Sequence, residues 1–304
     1  MVTLIACLAM SHAPQLMITP DKWGVLHTRD WDPLPLRPDL EKETLEEKWE
    51  KWRRCMKAID FLRQKLNEFS PDVLLVVGDD QHENILDYNI PPFTIYMGEE
   101  AEASTSLRYF NEPKSANRTK YKVHTALAKS ILNDLMESGF DPAYSKKTRY
   151  EGGLGHAFAR PLKFLVPDAR YPIVPIMVNT YYPPAPAAKR CVQFGQALAE
   201  TLHRTPGHER VIILASGGLS HTKIDEGLDG GFLQALERND IDYLSGMSSS
   251  ALVEGTSEIR NWIVTAAAAD QKATILDYQP LYRTPTGVGC AMGFAYWEMD
   301  RHQN

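Results

Sequence analysis

Three stretches of the sequence are almost purely apolar, and each is followed within a few positions by a histidine. They cover residues 2–9, 73–77 and 211–215. None of them alternates apolar with polar positions. Each therefore predicts a strand that is covered on both faces, as the strands of parallel sheets are.

Segments with helical periodicity separate these strands. In residues 41–69, one face is apolar at steps of three or four residues or sums of such steps: Leu45, Trp49, Trp52, Met56, Ile59 and Leu66. Further helices are predicted over 121–138, in a segment that follows "TYYPPAPAAKR" and ends at about residue 203, and, as two or three helices, across 230–270. Strands are predicted over 93–97, over 171–179 and as a pair within 274–297, and a polar loop over 98–119.

Strands that alternate with helices predict an α/β fold. We expect a single domain over residues 1–304, with a central, largely parallel or mixed sheet that is flanked by helices. A chain of 304 residues can bury a core of the size that such a domain needs without disulfides.

The charge balance disfavours several functions. The net charge is −6 and the isoelectric point about 5.9, whereas nucleic-acid binding requires a basic face. No stretch approaches the roughly 18 apolar residues of a membrane span. We therefore expect a cytoplasmic protein with neither nucleic acid nor membrane as a partner.

The cysteines point to the same compartment. Cys7, Cys55, Cys191 and Cys290 are scattered and form no CxxC pair. Neither a thiolate zinc site nor a disulfide framework is predicted, and reduced cysteines fit a reducing compartment.

Histidines follow the three predicted parallel strands. Ligands of open α/β sheets bind beyond the carboxyl ends of the strands, so we expect His12, His82 and His221 to converge there. Imidazole is the commonest metal ligand, and two histidines with one carboxylate form the open iron(II) site of oxygenases. The carboxylates that qualify by residue type are Asp79, Asp80, Glu83, Asp225 and Glu258.

Each of these residues also has a plain structural interpretation. A single histidine after a strand is more often a loop residue than a ligand. Asp79 and Asp80 fit turn residues that bind nearby backbone amides, and "SGGLSH" at 216–221 fits a tight turn. It is the repetition of the pattern after three strands that favours a metal or catalytic site.

Seven motifs occur in an order that resembles a known family. They are "SHAP" at 11–14, "DDQHEN" at 79–84, "GHAFARPL" at 155–162, "NTYYPP" at 179–184, "SGGLSH" at 216–221, "SEIRNW" at 257–262 and "GVGCAMGFAYW" at 287–297. Together they span nearly the whole chain. They resemble the class III extradiol ring-cleaving dioxygenases, of the type of the catalytic beta subunit of protocatechuate 4,5-dioxygenase.

The resemblance implies an iron(II) cofactor whose ligands are His12, His82 and Glu258. It also implies that His221 is the acid/base catalyst and that His156 binds a substrate oxygen. The implied reaction cleaves a catecholic or related ortho-hydroxylated ring next to its oxygens, inserts both atoms of O2, and belongs to the breakdown of aromatic compounds.

The second acidic motif departs from the family pattern. In the family its histidine often follows an aspartate directly, whereas here Gln81 comes first. The assignment of His82 rests on its being the only histidine of that motif. Glu83 and Glu254 are the alternatives to Glu258 as the carboxylate ligand.

The substrate class stays open at this point. A hydroxybenzoate, an aminophenol, a hydroxypyridone and a larger fused catechol all fit the motifs. In the segment 282–289, Arg283, Thr284 and Thr286 are predicted to hold a substrate carboxylate. The alternative for this segment is an ordinary β-turn.

The segment 15–40 is rich in proline and tryptophan and has no regular period. Long irregular segments inside a compact domain are usually functional. In the protocatechuate enzyme a small partner subunit helps to close the active site, and Trp23 and Trp31 predict a lid of similar effect within this chain. The alternatives are a surface excursion and a dimer contact.

The expected partners are a small aromatic substrate and O2, with a homodimer as the expected assembly and a small accessory subunit as an open alternative. Two other functions fit the same scaffold. One is a zinc-dependent hydrolase, and the other is a non-catalytic, Memo-like binding protein. The intact set of His12, His82, Glu258 and His221 disfavours the binding protein.

Overall fold

A computed structural model describes residues 1–26 and 35–299 of the protein. The strands are β1 Thr3–Met10, β2 Val73–Gly78, β3 Phe93–Tyr96, β4 Glu100–Ser104, β5 Arg118–Lys122, β6 Ala143–Ser145, β7 Ile173–Val178, β8 Arg210–Ser216, β9 Thr274–Tyr282 and β10 Gly289–Glu298. The α-helices are α1 Leu45–Phe69, α2 Thr125–Glu137, α3 His156–Leu165, α4 Ala188–Arg204, α5 Glu226–Arg238, α6 Ile241–Gly246 and α7 Ile259–Ala269.

One mixed sheet organises the described residues. Its strand order is β6-β3-β7-β2-β8-β1-β10-β9. The four adjacent strands β7, β2, β8 and β1 are parallel to one another. Strand β10 is antiparallel to β1, and β9 is antiparallel to β10. The predicted fold class, an α/β chain with a central mixed sheet flanked by helices, is confirmed.

The sheet separates two apolar layers. Along β2, Val73, Leu75 and Val77 face the layer that contains α2, α4 and α7. Leu74 and Val76 face the opposite layer, which contains α1 and α3. All five side chains are fully buried. Burial on both faces is the physical reason why the strand shows no alternation of polar and apolar residues.

Two predicted boundaries were wrong. The polar segment 98–119 contains β4 and the start of β5, which form a two-stranded antiparallel sheet. Helix α1 begins at Leu45 instead of residue 41, because Thr44 accepts a hydrogen bond from the backbone of Glu47 and the Glu47 side chain accepts one from the backbone of Thr44. This capping box satisfies N–H groups that the first helical turn would otherwise leave without a partner.

The described parts of the segment 15–40 pack onto the body of the protein. Trp23 is buried and its indole N–H donates to the backbone oxygen of Gln15 at 3.2 Å. At the other end, the backbone N–H of Arg37 donates to the oxygen of Pro285 at 2.8 Å, next to the β9–β10 turn. Trp31 lies outside the described residues, so the lid stays a prediction.

No helix within residues 1–26 and 35–299 is both long and apolar enough to cross a membrane.

Candidate functional site

The carboxyl ends of three parallel strands bring the predicted site together. His12 lies two residues after β1, Asp79 directly follows β2, and Ser216 ends β8. Helix α7 closes this edge, because the side-chain amide of Asn261 and the indole N–H of Trp262 donate to the backbone oxygens of Ser216 and Gly217 at 2.8 and 2.9 Å. Glu258, at the start of that helix, is thereby placed opposite the strand ends.

Three side chains at this edge lie close enough together to hold one metal ion. The ligand atoms of His12, Asp79 and Glu258 all lie within 4.8 Å of one another, and all three residues are buried. Their exposed fractions are 3%, 0% and 2%. The side chains of these three residues are therefore shielded from bulk water.

The tautomer of His12 follows from its hydrogen bonds. The hydroxyl of Ser216 donates its proton to the backbone oxygen of Ala157 in a short hydrogen bond. Its oxygen must then accept from His12 Nδ1, 2.8 Å away, which places the ring proton on Nδ1. The lone pair of His12 Nε2 is left facing the Oε2 atom of Glu258 at 3.6 Å.

Two hydrogen-bond acceptors that face each other in a buried site call for a cation between them. Burial lowers the pKa of His12 to about 3, so its imidazole is neutral at ordinary pH. Burial and the charge of Glu258 together raise the pKa of Asp79 to about 8. A divalent metal would remove both conflicts, and neutral imidazole with carboxylates is a donor set that divalent metals accept. The residues present therefore fit a metal ion.

His82, predicted as a ligand, lies outside this group. Its backbone adopts a left-handed conformation with φ of 60°, and its ring stacks on Tyr182 with the ring centres 3.6 Å apart. Its Nε2 atom is 3.0 Å from the carboxylate of Asp87. Gln81 points inward instead and donates to Glu258 at 3.0 Å and to Asp79 at 3.2 Å.

His221 does lie beside the predicted metal ligands. Its Nε2 atom is 3.3 Å from Glu258 Oε1, and its Nδ1 atom is 2.8 Å from the backbone oxygen of Leu219. Burial lowers the pKa of His221, but Cys290 and Glu258 outweigh this effect and raise the pKa well above its ordinary value. A histidine held in this way can donate and take back a proton next to the metal group.

His156 faces the same centre from α3. Its ring meets that of His12 edge to face, with the ring centres 5.1 Å apart. The carboxylate of Glu83 accepts from His156 at both the ring Nδ1 and the backbone N, each at 2.9 Å. This pair leaves Nε2 as the nitrogen of His156 that can meet a substrate.

One arginine contacts these histidines, and it is one of three that act on Tyr109. The guanidinium of Arg160, on α3, donates to the backbone oxygen of His12 at 3.1 Å. Burial raises the pKa of Tyr109, but its hydrogen bond to Arg108 and the charges of Arg108, Arg283 and Arg160 outweigh this and lower it. Three positive charges therefore act on this phenol, and one of them, Arg160, also contacts His12.

The segment 282–289 is the turn between β9 and β10. Arg283 donates from its guanidinium to Gln15 at 2.7 Å. The hydroxyls of Thr284 and Thr286 bond to each other at 2.6 Å, and Gly287 adopts a positive φ of 93°. The hairpin geometry agrees with the β-turn alternative, and the charge of Arg283 also acts on Tyr109.

Sequence reasoning missed two residues of this site and underrated two others. Gln81 and Arg160 were not proposed for any role, although each lies inside a quoted motif. Asp79 and Glu83 were named only as carboxylates that qualified by type. The position of Asp79 directly after a buried central strand is the one signal in the sequence that ranks it higher.

The fold and the site together define an α/β protein with a metal-binding geometry at the carboxyl ends of its parallel strands. Residues 38–293 match the family described as the catalytic LigB subunit of aromatic ring-opening dioxygenase. The match covers most of the chain, and the protein belongs to this family. Its membership confirms the resemblance to extradiol ring-cleaving dioxygenases.

Curated relatives have related names. A 2,3-dihydroxyphenylpropionate/2,3-dihydroxicinnamic acid 1,2-dioxygenase of Klebsiella pneumoniae subsp. pneumoniae is 29% identical over 197 residues, which are 64% of this chain and 56% of that protein. The 2,3-dihydroxyphenylpropionate/2,3-dihydroxicinnamic acid 1,2-dioxygenase 2 of Pseudomonas putida is 30% identical over 197 residues, which are 64% of this chain and 56% of that protein. The Photorhabdus laumondii enzyme is 30% identical over 161 residues, 53% of this chain and 46% of that protein. The matched region thus spans about half the length of these relatives.

A solved structure supports the fold alone. The crystal structure of an uncharacterized Escherichia coli K12 protein covers 96% of this chain, and 99% of that protein is matched. The TM-score is 0.51 and the sequence identity 14%.

Proposed function

We propose that the protein is an iron(II)-dependent extradiol dioxygenase that opens a dihydroxylated aromatic ring with O2. The observation that carries this proposal is the buried lone pair of His12 facing Glu258, with His221 and His156 on either side, in a chain of the ring-opening dioxygenase family. Iron(II), when bound there, would supply the template for O2 and the ring oxygens and would lower the pKa of a ring hydroxyl.

The residues of the chain divide the remaining work. His12 and Glu258 hold the metal. His221, next to Glu258, is the acid/base catalyst that exchanges protons with the ring substrate. Burial lowers the pKa of His156, but the charge and the hydrogen bond of Glu83 outweigh this effect and raise it. The resulting imidazolium keeps its Nδ1 proton on Glu83 and donates from Nε2 to a ring oxygen.

The arginines favour a substrate with an acidic group. Arg160 donates to the backbone oxygen of His12 through one N–H, and its guanidinium carries further donors that an anionic group of a substrate can accept from. The names of the curated relatives also contain aromatic acids. We therefore favour an ortho-dihydroxylated aromatic acid over a neutral catechol, a hydroxypyridone or a fused ring.

The test is anaerobic reconstitution with iron(II), followed by O2 uptake against dihydroxylated aromatic acids, neutral catechols, aminophenols and hydroxypyridones. We expect uptake and a ring-opened product in the wild type, and loss of both in His12→Ala. His203→Ala, which changes an exposed histidine of α4, is the matched control. Absence of uptake with every compound, in a protein that retains zinc, would favour the hydrolase alternative.

Three further expectations belong to this proposal. The whole of residues 1–304 acts as one catalytic domain, and the segment 15–40 forms a lid. The assembly is a homodimer, and a small accessory subunit is the alternative source of cover. Deletion of residues 22–38 should damage turnover more than folding if the lid is real.

A further inference from the structure

The second acidic motif carries an inference about the metal centre that rests on the proposed metal-dependent function. The motif supplies Asp79, Gln81 and His82. The side chains of the first two lie at the metal group, whereas the ring of His82 lies against Tyr182 and Asp87. The ring of His82 lies flat on Tyr182, its Nε2 atom is 3.0 Å from Asp87, and its exposed fraction is 32%. Bringing it to His12 would require the loss of this stacking and a change in a left-handed backbone.

Gln81 occupies the position that the histidine of related motifs takes directly after the aspartate. Its side-chain amide donates to Glu258 at 3.0 Å, so the side chain at position 81 extends to the metal group. The same amide donates to Asp79 at 3.2 Å. Gln81 therefore bridges two carboxylates that would otherwise repel each other.

Asp79 is the side chain that completes the ligand geometry. It is fully buried, it follows directly on β2, and its carboxylate lies within 4.8 Å of ligand atoms of both His12 and Glu258. Asn261 donates to its Oδ1 atom at 3.3 Å, which holds the carboxylate in place from α7. Outer partners of this kind orient metal ligands.

We propose that Asp79 is the third metal ligand and that the centre contains one histidine and two carboxylates, with Gln81 as the outer residue that holds both carboxylates. Such a centre differs from the two-histidine, one-carboxylate site that the resemblance implied. Two carboxylates cancel the charge of a divalent ion, and oxygen donors suit manganese(II) better than a second imidazole would. The centre should therefore discriminate less strongly in favour of zinc.

The experiment measures the binding of Mn²⁺ to the metal-free full chain, by the electron paramagnetic resonance of free Mn²⁺ and by calorimetry. We expect Asp79→Asn to weaken Mn²⁺ binding by about 10-fold or more, and His82→Ala to change it by less than about 2-fold. Unchanged binding in Asp79→Asn, strong loss in His82→Ala, or failure of the wild type to bind Mn²⁺ would each overturn the assignment. Circular dichroism and the thermal midpoint establish that each variant is folded.

A second variant tests the position of residue 81 through a gain in Zn²⁺ preference. Gln81→His introduces an imidazole where the amide now meets Glu258, and we expect it to raise the preference for Zn²⁺ over Mn²⁺ by about 10-fold. An unchanged preference in this folded variant would contradict the placement of Gln81. This test does not depend on catalysis.

O2 uptake on the same samples separates the two proposals. Metal binding that depends on Asp79, with no uptake for any aromatic compound, would contradict ring cleavage and leave the ligand assignment standing. Uptake by the wild type that is lost in His82→Ala, with Mn²⁺ binding unaffected in Asp79→Asn, would contradict the ligand assignment and leave ring cleavage standing.

Discussion

The carboxylate of Glu83 holds His156 through two hydrogen bonds of 2.9 Å, one from the ring Nδ1 and one from the backbone N. The space for this carboxylate exists because residue 155 is glycine: a Cβ there would lie 2.0 Å from Glu83 Oε2. The pair therefore sets both the start of α3 and the orientation of the imidazole, and residues 73 positions apart act as one unit.

The first prediction concerns turnover. Glu83→Ala removes the partner of Nδ1 and should lower kcat for ring cleavage by about 10-fold to 100-fold, with little effect on metal content. Glu83→Gln keeps an oxygen acceptor and should retain more activity. Initial rates of O2 uptake measure both variants against Glu237→Gln, an exposed change on α5. Equal kcat in Glu83→Ala and the wild type would contradict the orienting role.

The second prediction concerns stability in acid. Burial raises the pKa of Glu83, but the charge of His156 and its hydrogen bonds outweigh this and lower the pKa from 4.5 to about 2. Between these two pH values the unfolded chain binds a proton that the folded chain does not, so a fall in pH favours unfolding. The stabilisation is fully present above about pH 4.5, is lost as pH falls through about 2, and amounts to about 3 kcal/mol at most.

Chemical denaturation between pH 3 and 7 measures this effect. We expect Glu83→Gln to be less stable than the wild type near pH 7, with a gap that narrows as the pH falls. Glu237→Gln should run parallel to the wild type throughout. A gap that stays constant across the range would show that the charge of Glu83 does not contribute.

The third prediction uses a close contact at His221. A Cβ on Gly255 would lie 1.9 Å from His221 Cδ2 and 2.2 Å from Nε2. Gly255→Ala should therefore displace the imidazole and reduce kcat by about 100-fold or more, the range for loss of a general acid or base. Metal content should change much less than kcat, since the three atoms nearest to that Cβ all belong to His221.

Gly246→Ala is the matched control for this substitution, because a Cβ at that helix end meets nothing within 4 Å. Full activity in Gly255→Ala would mean either that His221 tolerates the shift or that it does not carry the proton. His221→Gln decides between these readings, since it removes the titrating group without adding bulk.

The fourth prediction concerns specificity. Arg160→Gln removes a positive charge beside the metal centre. It should raise KM for dihydroxylated aromatic acids by about 10-fold, which corresponds to a charge-assisted hydrogen bond of roughly 1.4 kcal/mol. A neutral catechol should be affected much less. The ratio of kcat/KM for the two substrates is its own control, and an unchanged ratio would exclude Arg160 from acid recognition.

The sequence by itself determined those strands and helices whose buried faces give a recognisable pattern of apolar residues. The runs at 73–77 and 211–215 became central parallel strands, and the apolar face of 41–69 became α1, because a strand or helix that contacts the core must repeat its apolar positions. The same patterns placed His12, Asp79 and the loop before His221 at one edge of the sheet. The hairpin of β4 and β5 escaped this reasoning, since its buried residues are small or polar in β4 and only Tyr121 is buried in β5.

Tertiary structure alone decided which side chains of the "DDQHEN" loop face the metal group. A loop has no burial period, so the directions of Gln81 and His82 follow from a single positive φ and from the ring of Tyr182, about a hundred residues away along the chain. The meeting of Glu258 with His12 likewise depends on how α7 packs against β8. These contacts join distant parts of the chain, and residue type and spacing do not determine them.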